Sequence, residues 1–407
     1  MTALQKIPAQ RIVRAIASAA ERWSNADFPP RVRATDRICE RTGYSIPVVD
    51  YALDRLFFPI ATGELAAAIQ GELGSLSILD EFTPRDRRPP AWALPVGRVC
   101  VIASRTTIGV ALVPALFALC AKCDVVVKDR EDALTAAFFE SLTEELEEFG
   151  AAASAGVWDS SGKDAPGLEG FDAVVAFGSD RTLESIARAL PYRTAFIGFG
   201  SRASAGYVTA EAMRNGGSRS VLTGAARDLV LYESEGCLSL HVLFVERGRG
   251  ANAAAFAERL ADEVELAVVE FPVAERHAEL APRIAAEREA ARFRVANGRG
   301  AVFSNDRAEY LIVLDPPLEQ PPLFLPRALG IIPVDSPGAA IDYLRSHAIA
   351  LEGFAVAGER GDVVDAAVRA GATRITAFGE LQHPPLAGNH GGRPRIAEFV
   401  RWLERVE

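Results

Sequence analysis

The chain reads as an α/β protein built on parallel sheets that helices cover on both faces. Three observations predict this. From Arg98 onward, short apolar runs with strand character alternate with helical segments. The runs stay apolar at successive positions instead of alternating with polar residues, as strands buried on both faces do. The same grammar resumes after Cys237 in a second α/β stretch. With 407 residues, 49% of them hydrophobic, the chain is long enough for two cores of ordinary domain size.

Up to Phe82 the pattern is helical. "RIVRAIASAAERW", "RVRATDRICERTG", "VVDYALDRLFF" and "GELAAAIQGEL" repeat apolar residues at three- and four-residue steps, and "NADFPP" and "GYSIP" punctuate them. Residues 1–82 are therefore expected to form a helical segment packed on the unit that follows. "FTPRDRRPPAWALPVG", rich in proline and arginine, reads as a surface connector. Residues 83–205 then form the first α/β unit. Its strands are "RVCVIA", "DVVVKD", "AAASAGVWD", "DAVVAFG" and "RTAFIGFG", and its helices are "GVALVPALFALCAKC", "ALTAAFFESLTEELEEFG" and "DRTLESIARAL". This is a doubly wound, nucleotide-binding type of layout.

Residues 206–380 form the second unit, with strands "LSLHVLFVE", "AEYLIVL" and "GIIPV" between helices such as "ANAAAFAERLADEVELAV" and "AAIDYLRS". "PPLEQPPLFLP" is a proline-heavy loop suited to a rim or an interface. Residues 381–407 close the chain as a separate C-terminal segment. No internal repeat is visible.

A net charge of −10 argues against a nucleic-acid surface or a polybasic membrane patch, since both need a concentrated positive field. The longest nearly apolar run, "GVALVPALFALCA", contains Pro114 and falls well short of the roughly 20 residues that span a bilayer. "MTALQKIPAQRIVRAIASAAERW" lacks the continuous apolar core of a secretory signal. Five cysteines at scattered positions do not make a disulfide framework. A cytoplasmic protein with a small-molecule substrate is expected.

The chemistry-bearing motifs are few. "CAKC" places Cys120 and Cys123 at a redox or half-zinc spacing, but without a second pair or a histidine cluster the plain reading, a helix end turning into a strand, is preferred. No phosphate loop, H-E-x-x-H or G-x-S-x-G occurs, and the glycines of "IGFGSRASAG" do not form a G-x-G-x-x-G. Lys128 ends a strand at the edge where open α/β sheets bind ligands, or simply ends it in solvent. Gly178 and Ser179 stand between a strand and a helix N-terminus, whose free N–H groups favour anionic or polar ligand atoms. Cys237, behind a glycine in "YESEGCLSLHVLFVE", is either a packed thiol or a nucleophile.

The order "VVVKD", "VVAFGSDRT", "FIGFGS", "ESEGCLS", "GIIPV" resembles the aldehyde dehydrogenase superfamily. Within it, "GELGSLSILDEF", "GCLS" and "HPPLAGNHGGRPRIAEFVRWLE" are similar to the LuxC-type fatty acyl-CoA reductases. The resemblance implies two Rossmann-like units, one for NADP (NAD being possible) and one carrying the cysteine, with the active site in a crevice between them. It implies that Lys128 meets the adenosine ribose, that Gly178, Ser179, Gly198 and Gly200 lie along the dinucleotide, and that Cys237 is the nucleophile toward an acyl-CoA or other acyl thioester. The expected reaction is reduction of that thioester to an aldehyde through an S-acyl-cysteine.

Several departures bear on this. Hydrolytic members of the superfamily carry a water-activating glutamate where this chain has Gly198, so the acyl group should survive for reduction. Thr106 stands where the superfamily places an oxyanion-holding asparagine. "PRALGIIPV" lacks the glutamate that often contacts the nicotinamide ribose. His390 in "GNHGGRP" either donates a proton and contacts substrate or is a loop histidine bonded to backbone. His241 reads as structural, and Glu233 and Glu235 as solvent-facing. For the cofactor, Arg130 would pair a 2′-phosphate and Asp129 would repel one. Reduction of an acyl phosphate or a carrier-protein thioester, and a catalytically degenerate binding protein or scaffold, stay open as alternatives. So does assembly as a homo-oligomer or with a partner enzyme of acyl processing.

Overall fold

The computed structural model describes residues 2–104, 107–129, 133–158, 167–273, 279–358 and 360–406. Its strands in chain order are β1 (Thr83–Arg85), β2 (Arg88–Pro95), β3 (Arg98–Ile102), β4 (Asp124–Lys128), β5 (Ala153–Gly156), β6 (Ala173–Phe177), β7 (Ala195–Phe199), β8 (Ala203–Val208), β9 (Leu240–Glu246), β10 (Ala301–Phe303), β11 (Leu311–Leu314), β12 (Ala328–Val334), β13 (Leu351–Ala357), β14 (Arg374–Thr376) and β15 (Val400–Glu404). The chain divides into two compact units. Residues 1–41, 49–200 and 385–407 make one, and residues 42–48 and 201–384 make the other.

The first unit is built on five parallel strands in the order β5-β4-β3-β6-β7. The chain enters at the middle strand, winds outward through β4 and β5, then returns past β3 to continue through β6 and β7. That reversal makes the gap between β3 and β6 a topological switch point, where open sheets of this kind bind ligands beyond the carboxyl ends of their strands. All five residues of β6 are buried, as are Val99, Cys100 and Val101 of β3. The apolar run after β3 becomes the helix Leu112–Cys120, buried at every position but Val113. Pro114 is tolerated because it lies in the first turn, where a backbone N–H has no helical acceptor to lose. Lys122, in the left-handed region at φ 66°, ends this helix, and its Nζ stands 2.5 Å from Asp80 Oδ1. Cys120 and Cys123 are thus the buried flanks of a helix terminus.

The segment expected to be a surface connector instead forms β1 and β2. With β15 these make an antiparallel three-stranded sheet, in which Ala91 to Pro95 pair with Glu404 to Val400. Proline argues against a strand because it cannot donate to the ladder. Here Pro89 and Pro90 fall where the β1–β2 register shifts, so the ladder is already interrupted there. Ala91 and Ala93 are fully buried.

The second unit carries seven strands in the order β10-β11-β12-β9-β8-β13-β14, all parallel except the edge strand β10. Every residue of β8 and β9, at its centre, is buried. Residues 385–407 pack with the first unit, although they follow the second in sequence. Among the described residues, no helix is long and apolar enough to cross a membrane.

Candidate functional site

In the first unit, the expected cofactor residues gather at the carboxyl edge of the five-stranded sheet. Lys128 is the last residue of β4, in register with Ile102 of β3 and Gly156 of β5, and its ammonium lies 6.0 Å from the ring centre of Trp158. Gly178 follows β6 directly, and its N–H donates to Phe199 O at 3.2 Å, joining the ends of β6 and β7. A Cβ at Gly178 would touch only Thr182 at 3.5 Å, an ordinary contact. Packing therefore does not demand glycine there, and the bare backbone stays open toward the switch point.

Ser179 N-caps the helix Asp180–Ala189, accepting Thr182 N–H at 3.3 Å and sharing a 2.9 Å hydrogen bond with Thr182 Oγ1. Its hydroxyl is committed to the helix end, so only the surrounding backbone is offered to a ligand. Gly198 and Gly200 lie at the end of β7. A Cβ on Gly198 would come within 2.9 Å of Phe196 Cε1, and one on Gly200 within 2.3 Å of Asp180 Oδ1. At Gly198 the contact is with a ring and packing favours glycine, whereas at Gly200 it is with the tip of an exposed carboxylate that can move aside.

His390 joins this edge from the C-terminal segment. Its ring stacks on Phe199 (centroids 4.2 Å apart, 16° between planes) and on Phe177 (5.6 Å, 30°), the last residues of β7 and β6. Its backbone exchanges hydrogen bonds with Arg393 at 2.9 Å in both directions. Thr106 and Arg130 lie outside the described residues.

Asp129 does not face outward. Its Oδ2 accepts Thr135 N–H at 3.0 Å and Ala136 N–H at 3.3 Å, and its Oδ1 accepts the Thr135 hydroxyl at 3.0 Å. It is a buried cap on the helix Leu134–Glu145. Its carboxylate is thus committed to this helix start. The signal, Thr six residues beyond an aspartate at a helix start, is too loose to be read from sequence.

In the second unit, Cys237 sits three residues before β9, in a turn closed by Ser239 N–H donating to Gly236 O at 3.1 Å. It is partly exposed, whereas Cys100, Cys120 and Cys123 are buried. Burial, followed by the Glu352 carboxylate, pushes its thiol up to about 11. Opposing this are the backbone N–H dipoles of Cys237 and Leu238 and the charge of Arg202. Ser204 Oγ–H donates to Cys237 O at 2.8 Å and accepts Gly353 N–H at 3.0 Å. His241, as expected, is buried; its Nε2 lies 3.2 Å from Gly236 O. Desolvation pushes the imidazole down to about 4, so it is neutral near pH 7.

Glu233 corrects the solvent-facing expectation, while Glu235 is exposed. Glu233 is 4% exposed, and its Oε1 lies 2.6 Å from Nη2 of Arg327, itself fully buried. Tyr232, Glu233 and Ser234 all adopt positive φ, at 55°, 53° and 56°, a region costly for residues with a Cβ. Sequence reasoning missed Arg202, Ser204, Arg327 and Glu352, because each acts on the cysteine turn from 30 or more positions away. Alternation alone marks Glu352 as nothing more than a polar break in an apolar strand.

The fold is similar to glyceraldehyde-3-phosphate dehydrogenase GapN from Methanocaldococcus jannaschii, solved with NADP, at a TM-score of 0.69 and 12% identity over 98% of this chain and 90% of that one. Aldehyde dehydrogenase 21 from Physcomitrella patens, in complex with the reaction product succinate, gives 0.70 and 12% over 99% and 85%. Gamma-glutamyl-gamma-aminobutyraldehyde dehydrogenase from Burkholderia cenocepacia gives 0.69 and 16% over 98% and 84%. At these identities the likeness is one of fold, and the fold is that of the aldehyde dehydrogenases. A comparison with curated protein sequences finds no match. The family model described as acyl-CoA reductase (LuxC) matches residues 4–402. A match over nearly the whole chain, on a fold with a cysteine-bearing turn and a switch-point edge, shows that this protein belongs to the LuxC acyl-CoA reductase family.

Proposed function

We propose that the protein reduces an acyl-CoA thioester to an aldehyde, with NADPH as reductant and Cys237 as the covalent carrier of the acyl group. The observation that carries this reading is the turn at Cys237, where a partly exposed thiol stands in a hydrogen-bonded turn directly ahead of a fully buried central strand. That arrangement suits a sulfur that becomes an anion and then holds an acyl carbon whose oxygen develops charge.

In this reading the Cys237 thiolate attacks the thioester carbonyl, a C–S bond to the enzyme forms, and the C–S bond to CoA breaks as CoA leaves and takes up a proton. NADPH, when bound, supplies the hydride that lowers the acyl carbon to the aldehyde level. Collapse of the thiohemiacetal then breaks the bond to Cys237 and returns the thiolate. The backbone N–H of Cys237 is a donor to the oxyanion. Gly198 offers no carboxylate to activate water, which favours reduction over hydrolysis.

The first unit's edge fits NADPH. The partly exposed backbone at Gly178 and the N-terminus of the helix Asp180–Ala189 lie at the carboxyl edge beside the switch point, where this reading puts the dinucleotide. Lys128 brings a positive charge to the end of β4, and Asp129 is turned inward, so its carboxylate does not oppose a 2′-phosphate. His390, flat against Phe199 and Phe177, borders the same edge and enters this reading as a ring beside the dinucleotide.

The test is intact-mass spectrometry after brief exposure to acyl-CoA without cofactor. The expected result is one acyl adduct, absent in Cys237→Ala and discharged by NADPH with consumption of the reduced cofactor; NADH is run alongside. An adduct that persists in Cys237→Ala, or no adduct with any acyl chain length, overturns the reading.

A further inference from the structure

Cys237 is flanked by two consecutive peptides, Gly236–Cys237 and Cys237–Leu238, whose N–H dipoles lower its thiol. Both are trans. A trans peptide is planar, with its carbonyl oxygen on the side opposite its N–H, so whatever grips the oxygen aims the hydrogen. In each of these peptides the oxygen is gripped.

Gly236 O, opposite the Cys237 N–H, accepts from His241 Nε2 at 3.2 Å and from Ser239 N–H at 3.1 Å. A carbonyl can only accept, so Nε2 carries the imidazole hydrogen and Nδ1 is a bare acceptor. Among the described residues that Nδ1 has no partner, although it is buried. Cys237 O, opposite the Leu238 N–H, accepts from Ser204 Oγ at 2.8 Å, and Ser204 is oriented by Gly353 N–H at 3.0 Å.

The two side-chain grips come from neighbouring central strands, Ser204 from β8 and His241 from β9, where the surrounding residues are apolar. An imidazole with one unbonded nitrogen is a poor filler for such a position, and leucine would serve packing better. Its presence is accounted for by what its other nitrogen holds. We propose that His241 and Ser204 are positioning residues that lock the two peptides flanking Cys237, fixing the direction of their N–H groups beside the sulfur and the oxyanion formed when it is acylated. This rests on the acyl-CoA reduction reading and adds to it the parts that hold the oxyanion donors still.

The experiment uses the full-length protein in four forms: wild type, His241→Leu, His241→Gln and Ser204→Ala. Two rates are followed by intact mass: acylation by acyl-CoA without cofactor, and alkylation of Cys237 by iodoacetamide across a pH series. Thermal melting reports folding. Removal of one fixed oxyanion donor slows such reactions roughly 10²- to 10³-fold, and a donor that is loosened rather than removed is expected to slow acylation about 10- to 100-fold.

His241→Leu should show that loss, together with an alkylation midpoint moved to higher pH, because the peptide dipole that lowers the thiol is no longer held in place. His241→Gln, which keeps an N–H near the Nε2 position, should recover most of the acylation rate. Ser204→Ala should behave as His241→Leu does and carries the test should the leucine variant not fold. A purely structural histidine would change melting and leave the alkylation midpoint where it is. Acylation at the wild-type rate with an unmoved midpoint in His241→Leu, or in Ser204→Ala where the leucine variant does not fold, overturns the proposal. So does a His241→Gln variant as slow as His241→Leu. Failure of wild type to acylate overturns the functional reading instead, while the alkylation midpoints still decide whether the two anchors aim the peptides.

Discussion

Arg202 Nε stands 3.6 Å from Glu352 Oε2, and the two charges act on Cys237 in opposite directions. Glu352, on β13, also accepts the Thr373 hydroxyl at 2.8 Å, which holds its carboxylate in place. With burial, this carboxylate keeps the sulfur a protonated thiol near pH 7 in the ligand-free protein. Glu352→Gln is expected to lower the thiol and speed alkylation of Cys237 at pH 8, and Arg202→Met to slow it. A shift of half a unit to one unit corresponds to roughly three- to tenfold in thiolate. Iodoacetamide kinetics with peptide mapping measure both, with the buried Cys100, Cys120 and Cys123 as unlabelled internal controls.

Glu233 and Arg327 form an ion pair with side chains 5% and 0% exposed, at the base of the positive-φ segment that leads to Gly236. Removing one partner leaves a buried charge uncompensated, which costs about 3–5 kcal/mol. Arg327→Met should therefore destabilise the protein severely in urea denaturation. Glu233→Met combined with Arg327→Met should recover part of the loss, since a well-packed apolar pair can replace a buried ionic one. A double variant no better than Arg327→Met alone would show that the pair's contribution lies in holding the strained turn.

Asp228 is fully buried and pushed up to about 7 by desolvation, against the Gly379 N–H that donates to its Oδ2 at 2.6 Å. Its folded value lies above the unfolded one, near 4. The folded state therefore binds the extra proton between about pH 4 and 7, and this group's contribution to stability is lost as pH rises through that window. Asp228→Asn, which keeps an acceptor for Gly379, should gain on wild type as pH rises from 5 to 8. Urea midpoints at the two pH values measure it, and a constant difference between the proteins would contradict the assignment.

Gly198 faces the Phe196 ring, which a Cβ would approach to 2.9 Å. Gly198→Ala is expected to destabilise by about 1–3 kcal/mol through overpacking, and Phe196→Leu in the same chain to relieve part of it. Thermal melting of the single and double variants decides this. Local packing by itself calls for glycine at this position.

Much of the first unit is legible in the sequence because its strands are apolar at successive positions and its helices are long enough to show their period. β3, β4, β6 and β7 fall where "RVCVIA", "DVVVKD", "DAVVAFG" and "RTAFIGFG" place them. β2 is not legible, since its prolines argue against a strand and only the register shift beside β1 and the pairing with β15 explain them. β8 is missed for a different reason. "ASAGYV" is made largely of small residues and runs on from the glycines after β7, so no period marks it off.

The candidate site divides the same way. Cys237 is picked out by its own neighbours, a glycine before it and a buried strand after it. What surrounds the sulfur, Ser204, Arg202 and Glu352, comes from β8, from the residue just before it and from β13, and strand pairing brings together residues more than 100 positions apart. No local pattern encodes that.

By itself, the order of residues determined the α/β class and the helical N-terminal region and singled out Cys237 and the glycines after β6 and β7 as candidates, because each is a property of a short window: periodicity, backbone freedom or thiol chemistry. Only the tertiary structure decided that Asp129 turns inward, that Glu233 is buried against Arg327, and that His241 and Ser204 grip the peptides on either side of Cys237. The physical reason is that burial and hydrogen-bond partnership arise when strands distant in sequence become neighbours, and a side chain's charge and direction follow from those neighbours.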